Sequence, residues 1–151
     1  MKQTLAFGGW HSSITAADVA QTATRPGDLI VDGFDIYVSE SRPRESGRAA
    51  IVKLLPERPL PPPEEVLPAP FSARSRVHEY GGGAFSVRGG TLVFVNDSDQ
   101  ALYLRGPGER PRRLSPLLSG GQRRFAEPVI DPLRERVLCV MEEHAGAGRE
   151  P

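Results

Sequence analysis

Three times along the chain a short apolar run, a tight turn and a second β-rich run follow one another. The first set is Leu29-Ile30-Val31, the hairpin signal Asp32-Gly33, and Asp35-Ile36-Tyr37-Val38-Ser39. The second is Ala84-Phe85-Ser86-Val87, the turn Arg88-Gly89-Gly90, and Thr91-Leu92-Val93-Phe94-Val95. The third is Glu127-Pro128-Val129-Ile130, the turn Asp131-Pro132, and Arg136-Val137-Leu138-Cys139-Val140-Met141. β-Branched and aromatic residues bounded by Gly, Pro and Asp fit a pleated, half-buried surface, so each run predicts a strand. Glycine at a hairpin turn supplies the positive φ that a two-residue connection needs.

Each set continues with polar loops and further strands. The loop 42–48 leads to Ala50-Ile51-Val52-Lys53-Leu54-Leu55, and Glu65-Val66-Leu67 predicts a short outer strand before Pro68. The turn Asn96-Asp97-Ser98-Asp99 leads to Ala101-Leu102-Tyr103-Leu104, and Pro107-Gly108 turns the chain towards Arg112-Arg113-Leu114. The hairpin turns begin at positions 32, 88 and 131, so they lie 56 and 43 residues apart. A four-stranded propeller blade repeats every ~40–50 residues, and the longer first interval carries a proline-rich insert. A β-sandwich also has regular short strands, but the recurring order of strand, turn, strand, polar loop and strand favours blades. The expected fold is all-β: a partial β-propeller of about two and a half four-stranded blades, with a short N-terminal helix. Residues 1–27 form an entry segment, 28–70 a first blade, 71–118 a second and 119–151 the start of a third. So few blades leave sheet edges open, which predicts self-association or a covering partner.

The entry segment has no clean period. Phe7-Gly8-Gly9-Trp10 predicts a packed loop, with Trp10 as a structural residue. Thr15-Ala16-Ala17-Asp18 has capping-box spacing with Asp in place of Glu or Gln, predicting a helix through about Ala20. Arg25-Pro26-Gly27-Asp28 then reads as a turn. Pro56, Pro59, Pro61, Pro62 and Pro63 exclude a central strand; they suit a stiff connector at the rim, or a polyproline ligand for a partner.

Composition narrows the function classes. Gly (16) and Pro (15) make up about a fifth of the 151 residues, as many short elements require. Lys+Arg and Asp+Glu balance at 19 each, which gives no electrostatic case for nucleic acid or an anionic membrane. Arg110, Arg112 and Arg113 with Arg123 and Arg124 read as a solvated cluster broken by Pro111 and Gly120-Gly121. A single cysteine, Cys139, excludes an intrachain disulfide framework, and its apolar neighbours predict a buried small hydrophobe. Leu5-Ala6-Phe7 is too short for a signal peptide and no run approaches a membrane span, so the expected location is the cytoplasm.

The most unusual stretch is Arg76-Val77-His78-Glu79-Tyr80-Gly81-Gly82-Gly83-Ala84-Phe85, a charged and aromatic run entering three glycines. With Leu67-Pro68-Ala69-Pro70-Phe71-Ser72-Ala73-Arg74-Ser75 before it, this stretch resembles bacterial serine peptidases of the prolyl-oligopeptidase family, in the acylaminoacyl-peptidase and dipeptidyl-aminopeptidase branch. Phe7-Gly8-Gly9-Trp10-His11-Ser12-Ser13-Ile14-Thr15-Ala16 is similar to the start of the propeller in that family, with Ser13 where a proline is usual. Asn96–Tyr103 and Glu142-Glu143-His144 are also similar. The resemblance implies a propeller that caps an α/β-hydrolase domain bearing a Ser-Asp-His triad, admitting oligopeptides and excluding folded proteins. No serine here sits in a Gly-x-Ser-x-Gly elbow, so the chain is expected to carry no catalytic residue and to be inert alone. The expected partners are a peptide substrate together with a hydrolase domain, and no cofactor is expected. A stand-alone β-repeat interaction module is the competing reading.

Within the stretch, Glu79 suits the free amine of a peptide, Arg74 or Arg76 its carboxylate, and His78 a further substrate contact. The structural reading pairs Arg76 with Glu79, or has them cap a loop, and packs Tyr80. Gly81, Gly82 and Gly83 lack the Lys-Ser/Thr and helix start of a phosphate loop, and predict close backbone packing at the central channel. His78 and His144 with Glu79 or Glu143 lack metal-ligand spacing, so no metal is expected. His11, Ser12 and Asp18 are sequence neighbours, whereas triads gather from separate loops.

Overall fold

The computed structural model describes residues 4, 6, 8–9, 12–16, 23–55, 61–116 and 123–144. Trp10 and residues 56–60 of the proline-rich run lie outside them, as does the expected helix beyond Ala16. Among the described residues helical structure is limited to Ala16 and the short turn Pro43–Glu45.

The strands form three antiparallel sheets. The first is a meander of β1 (Arg25–Asp32), β2 (Asp35–Arg42), β3 (Arg48–Leu54) and β4 (Glu64–Glu65). The second is a meander of β5 (Phe85–Arg88), β6 (Thr91–Val95), β7 (Leu102–Arg105) and β8 (Arg112–Arg113). The third is the hairpin β9 (Arg123–Asp131) and β10 (Arg136–Glu143). The turns follow their glycines. Gly33 (φ 65°) opens the two-residue loop between Asp32 and Asp35, while Gly89 (φ 57°) and Gly90 (φ 73°) form the loop between Arg88 and Thr91.

The first two sheets repeat one another in their backbone bonds. The N–H groups of Val66 and Leu67 both donate to the Ile51 carbonyl, at 2.9 and 3.2 Å. Those of Leu114 and Ser115 both donate to the Leu102 carbonyl, at 2.8 and 3.3 Å. Ile51, Val66 and Leu67 therefore correspond to Leu102, Leu114 and Ser115.

The second sheet lies between the other two. Strand β6 has four consecutive buried residues, Leu92 to Val95, because both of its faces are covered. Leu92 and Phe94 pack with Phe85, Val87, Tyr37, Ile51 and Leu67 of the first interface. Val93 and Val95 pack with Leu102 and Phe125 of the second. An apolar run buried on both faces loses the alternation expected of a strand with one wet side. At the first interface Phe71 sits edge-on to Phe94 and Tyr103, with ring centroids 5.6 and 5.2 Å away. Across the turn ends, the Asp32 carboxylate accepts the N–H groups of Gly89 (3.0 Å) and Gly90 (2.7 Å), clasping the first sheet to the second.

Two expectations are corrected. Arg25-Pro26-Gly27-Asp28 is the beginning of β1, not a turn. On an edge strand the missing N–H of Pro26 costs no ladder bond, and a register shift between Pro26 and Leu29 absorbs the irregularity. Gly27 is there for space: a Cβ at this position would fall 2.6 Å from Ser39 Oγ, which accepts the Asp28 N–H. Cys139 is exposed, not buried. It occupies the register shift between Leu138 and Val140 on β10, whose far edge has no partner strand among the described residues.

Candidate functional site

The stretch from Arg74 to Gly83 crosses from the second sheet to the third, and its bonds explain its sequence. Ser75 Oγ donates to the Phe125 carbonyl (2.7 Å) and accepts the Val77 N–H (3.2 Å). Val77 is 2% exposed and anchors the loop from within. The next two residues, His78 (φ 55°) and Glu79 (φ 66°), both take left-handed backbone, uncommon for residues with a Cβ. Reversal here turns the His78, Glu79 and Tyr80 side chains outward.

The glycines let the loop press onto β9. A Cβ on Gly82 would meet Ala126 Cβ at 3.0 Å, and one on Gly83 would meet the Glu127 carboxylate at 2.6 Å. Gly83 N–H donates to Glu127 Oε1 (2.6 Å), and the Glu127 N–H donates back to the Gly83 carbonyl (2.7 Å). Gly81, at φ 95°, would push a Cβ to 3.0 Å from the Ser75 carbonyl oxygen. Gly82 and Gly83 thus pack closely against β9.

Charge is placed in pairs around this loop. The Arg76 guanidinium holds Asp97 (2.8 Å), and its N–H donates to Gln100 Oε1 (2.8 Å). The Glu79 carboxylate takes Arg124 (2.6 Å), which also donates to the Arg76 carbonyl (2.8 Å). Arg76 and Glu79 therefore have different partners, not each other. Arg124 is no solvated bystander: its side chain is 19% exposed and locks the loop to β9. Asp97 and Gln100 come from the polar turn after β6, where the buried Asn96 side chain bonds Ser72 N–H, Ser98 and Asp99. No local pattern ties that turn to the stretch around Arg76. Its density of amide and carboxyl side chains is a hint, beside the family resemblance the two stretches share.

One carboxylate gathers both histidines. Glu142 Oε2 accepts the His78 N–H (3.1 Å) and lies 3.1 Å from His144 Nε2, while Glu142 Oε1 lies 3.5 Å from His78 Nδ1. The His78 N–H, and then His144, hold the Glu142 carboxyl below its ordinary range against the opposing effect of desolvation. Sequence spacing set His78 and His144 apart; the fold brings them to one acid. Among the described residues no three His, Cys, Asp or Glu side chains are placed to hold a metal. Above this base Tyr80 is 87% exposed and its ring stacks on His78, with centroids 5.8 Å apart. Tyr80 does not pack into the core. The loop thus presents a stacked aromatic pair on a platform of ion pairs, and nothing in it resembles a nucleophile with its base.

No protein-family model and no curated protein matches the chain. Solved structures do. A puromycin hydrolase mutant complexed with PGG is 38% identical over 92% of this chain, with a TM-score of 0.80. A puromycin-hydrolyzing peptidase of Mycobacterium tuberculosis is 37% identical over 93% of it, with a TM-score of 0.82. A second structure of puromycin hydrolase is 38% identical over 92%, with a TM-score of 0.78. The chain spans about a fifth, 22%, of the length of each. No helix among the described residues is long and apolar enough to cross a membrane.

Proposed function

We propose that the chain is the non-catalytic propeller portion of a cytoplasmic serine peptidase of the prolyl-oligopeptidase family acting on oligopeptides. In this reading the two meanders are propeller blades and the hairpin opens a third. The acylaminoacyl-peptidase and dipeptidyl-aminopeptidase branch is the closest fit to the motif around His78. The carrying observation is 38% identity over 92% of the chain, at a TM-score of 0.80, with a puromycin hydrolase structure several times its length. Absence of any Gly-x-Ser-x-Gly sequence supports the non-catalytic part. The role is that of a gate: the loop bearing His78 and Tyr80 meets the peptide, while catalysis belongs to a hydrolase domain. Arg76 and Glu79 enter the contact only by exchanging Asp97 and Arg124 for the termini of a peptide.

The test uses the purified chain with puromycin, aminoacyl p-nitroanilides and a fluorophosphonate label for activated serines. The expected result is no turnover and no labelling; either one overturns the non-catalytic reading. Titration with di- and tripeptides should shift the amide resonances of His78 and Tyr80 before those of the first sheet. An interaction module is the second reading, favoured by the exposed Tyr80. It takes the lead if peptides leave those resonances unmoved.

A further inference from the structure

The first and second sheets leave a cavity of about 410 Å³ between them. Gly89 and Gly90, the two residues clasped by Asp32, line it, so it lies at the far end of β5 from the loop bearing His78. Every lining residue falls between Asp35 and Gly108, within the two four-stranded meanders. The volume suits a small molecule, whose pockets run from ~300 to ~1,000 Å³.

The lining is part apolar and part charged. Val66 and Leu92, both buried, supply the apolar part together with Pro107. Tyr37 is 4% exposed, yet its hydroxyl has no hydrogen-bond partner among the described residues. Burial raises the pKa of that hydroxyl, Lys53 lowers it, and Asp35, Asp32 and Glu64 raise it, so the oxygen stands within electrostatic reach of all four charges. Lys53 is held by Asp35 (2.7 Å). Glu64 and Arg105 have no ion-pair partner among the described residues, although they are opposite charges lining one cavity. An unpaired hydroxyl and two unpaired charges of opposite sign therefore border the same space, and such groups are costly to leave without partners.

The fold does not require this set. By the bonds that align Ile51 with Leu102 and Val66 with Leu114, Asp35, Tyr37, Lys53 and Glu64 correspond to Thr91, Val93, Leu104 and Arg112. The second sheet builds the same meander with threonine, valine and leucine where the first has an acid, a phenol and an amine.

We propose that this cavity binds a free α-amino acid with an apolar side chain. Its carboxylate accepts from Arg105 and the Tyr37 hydroxyl, its ammonium donates to Glu64, and its side chain lies on Val66 and Leu92. Asp35 and Glu64 disfavour a simple anion, and Lys53 and Arg105 disfavour a simple cation. A zwitterion matches a wall whose charges balance, and both of its ends gain charge-assisted bonds. The inference stands on the cavity alone and is independent of the peptidase reading.

The probe is L-leucine, titrated into the full chain and followed by amide resonances. The expected result is saturable shifts at Val66, Leu92 and Gly108, with those of His78 and Tyr80 unmoved. Leucinamide lacks the carboxylate and N-acetyl-leucine the ammonium, so each should bind about tenfold weaker or more, as loss of one charged hydrogen bond predicts. Arg105→Gln should weaken leucine binding by a similar factor without weakening that of leucinamide. Glu64→Gln should do the same without weakening that of N-acetyl-leucine. Both side chains lie outside the core, and an unchanged urea midpoint checks that each variant folds. Absence of saturable shifts overturns the inference, as do shifts confined to His78 and Tyr80. Equal binding of leucine and N-acetyl-leucine overturns it in favour of a site for simple anions. Equal binding of leucine and leucinamide overturns it in favour of simple cations.

Discussion

Arg48 illustrates how much one largely covered side chain organises. Its guanidinium, 9% exposed, donates to the carbonyls of Leu67 (3.0 Å) and Phe71 (3.3 Å) and pairs with Glu45 (2.6 Å) and Glu65 (2.8 Å). Exchange to Met leaves the Leu67 and Phe71 carbonyls without a donor, while Glu45 and Glu65 keep only Arg42, and should cost about 2–3 kcal/mol in urea unfolding. Lys should recover only part of this, because a single ammonium cannot reproduce the fork. Gly81 is the second such position. Gly81→Ala forces a Cβ towards backbone at positive φ and should cost about 1–3 kcal/mol, again read by denaturant midpoint. Gly83→Ala should cost less, since the atoms in its way belong to the movable end of Glu127. Neither role of Arg48 nor the partners of Arg76 and Glu79 were legible in the sequence. Apart from the Arg48–Glu45 pair, each depends on residues 17 or more positions away, brought close only by sheet packing.

At the level of elements, the sequence announces most of what forms. The paired glycines after Arg88 and the single glycine after Asp32 mark their hairpins because few other residues take that backbone. The five apolar or β-branched residues of β6 mark a strand, and their lack of alternation already implies cover on both faces. Pro26 and Gly27 misled for a physical reason: the residues that make turns are also those that suit an irregular edge strand. Cys139 misled because apolar neighbours say nothing about whether a covering layer exists. The two faces of β6 can be separated experimentally. Phe94→Ala should cost about 3–5 kcal/mol and loosen the first interface. Val93→Ala should cost roughly 2 kcal/mol and loosen the second. Hydrogen exchange should show faster opening in β2 and β3 for the former, and in β9 and β10 for the latter.

Over the whole molecule, acid should be the sensitive variable. The carboxyls of Asp99 and Glu65 both lie below their ordinary values. For Asp99 desolvation acts upward, but the Tyr103 hydroxyl, the Asn96 amide, the Ala101 N–H and Arg113 outweigh it. For Glu65 desolvation is likewise outweighed, by Arg42 and Arg48. A carboxyl whose folded pKa is lowered binds protons more weakly than in the unfolded chain. Its contribution is complete above the unfolded pKa, about 4, and disappears as pH falls through the folded one. Stability measured by urea unfolding should therefore be level from pH 7 to 5 and decline below about 4. Asp99→Asn should lower the plateau and flatten the decline. One last property concerns time. Every ladder among the described residues joins strands adjacent in sequence, whereas the Ser75–Phe125 and Gly83–Glu127 bonds close loops of 50 and 44 residues. Local pairings form early and distant ones wait for their ends to meet. During synthesis the strands of the first meander leave the ribosome before those of the second, and the clamp onto β9 forms only after both.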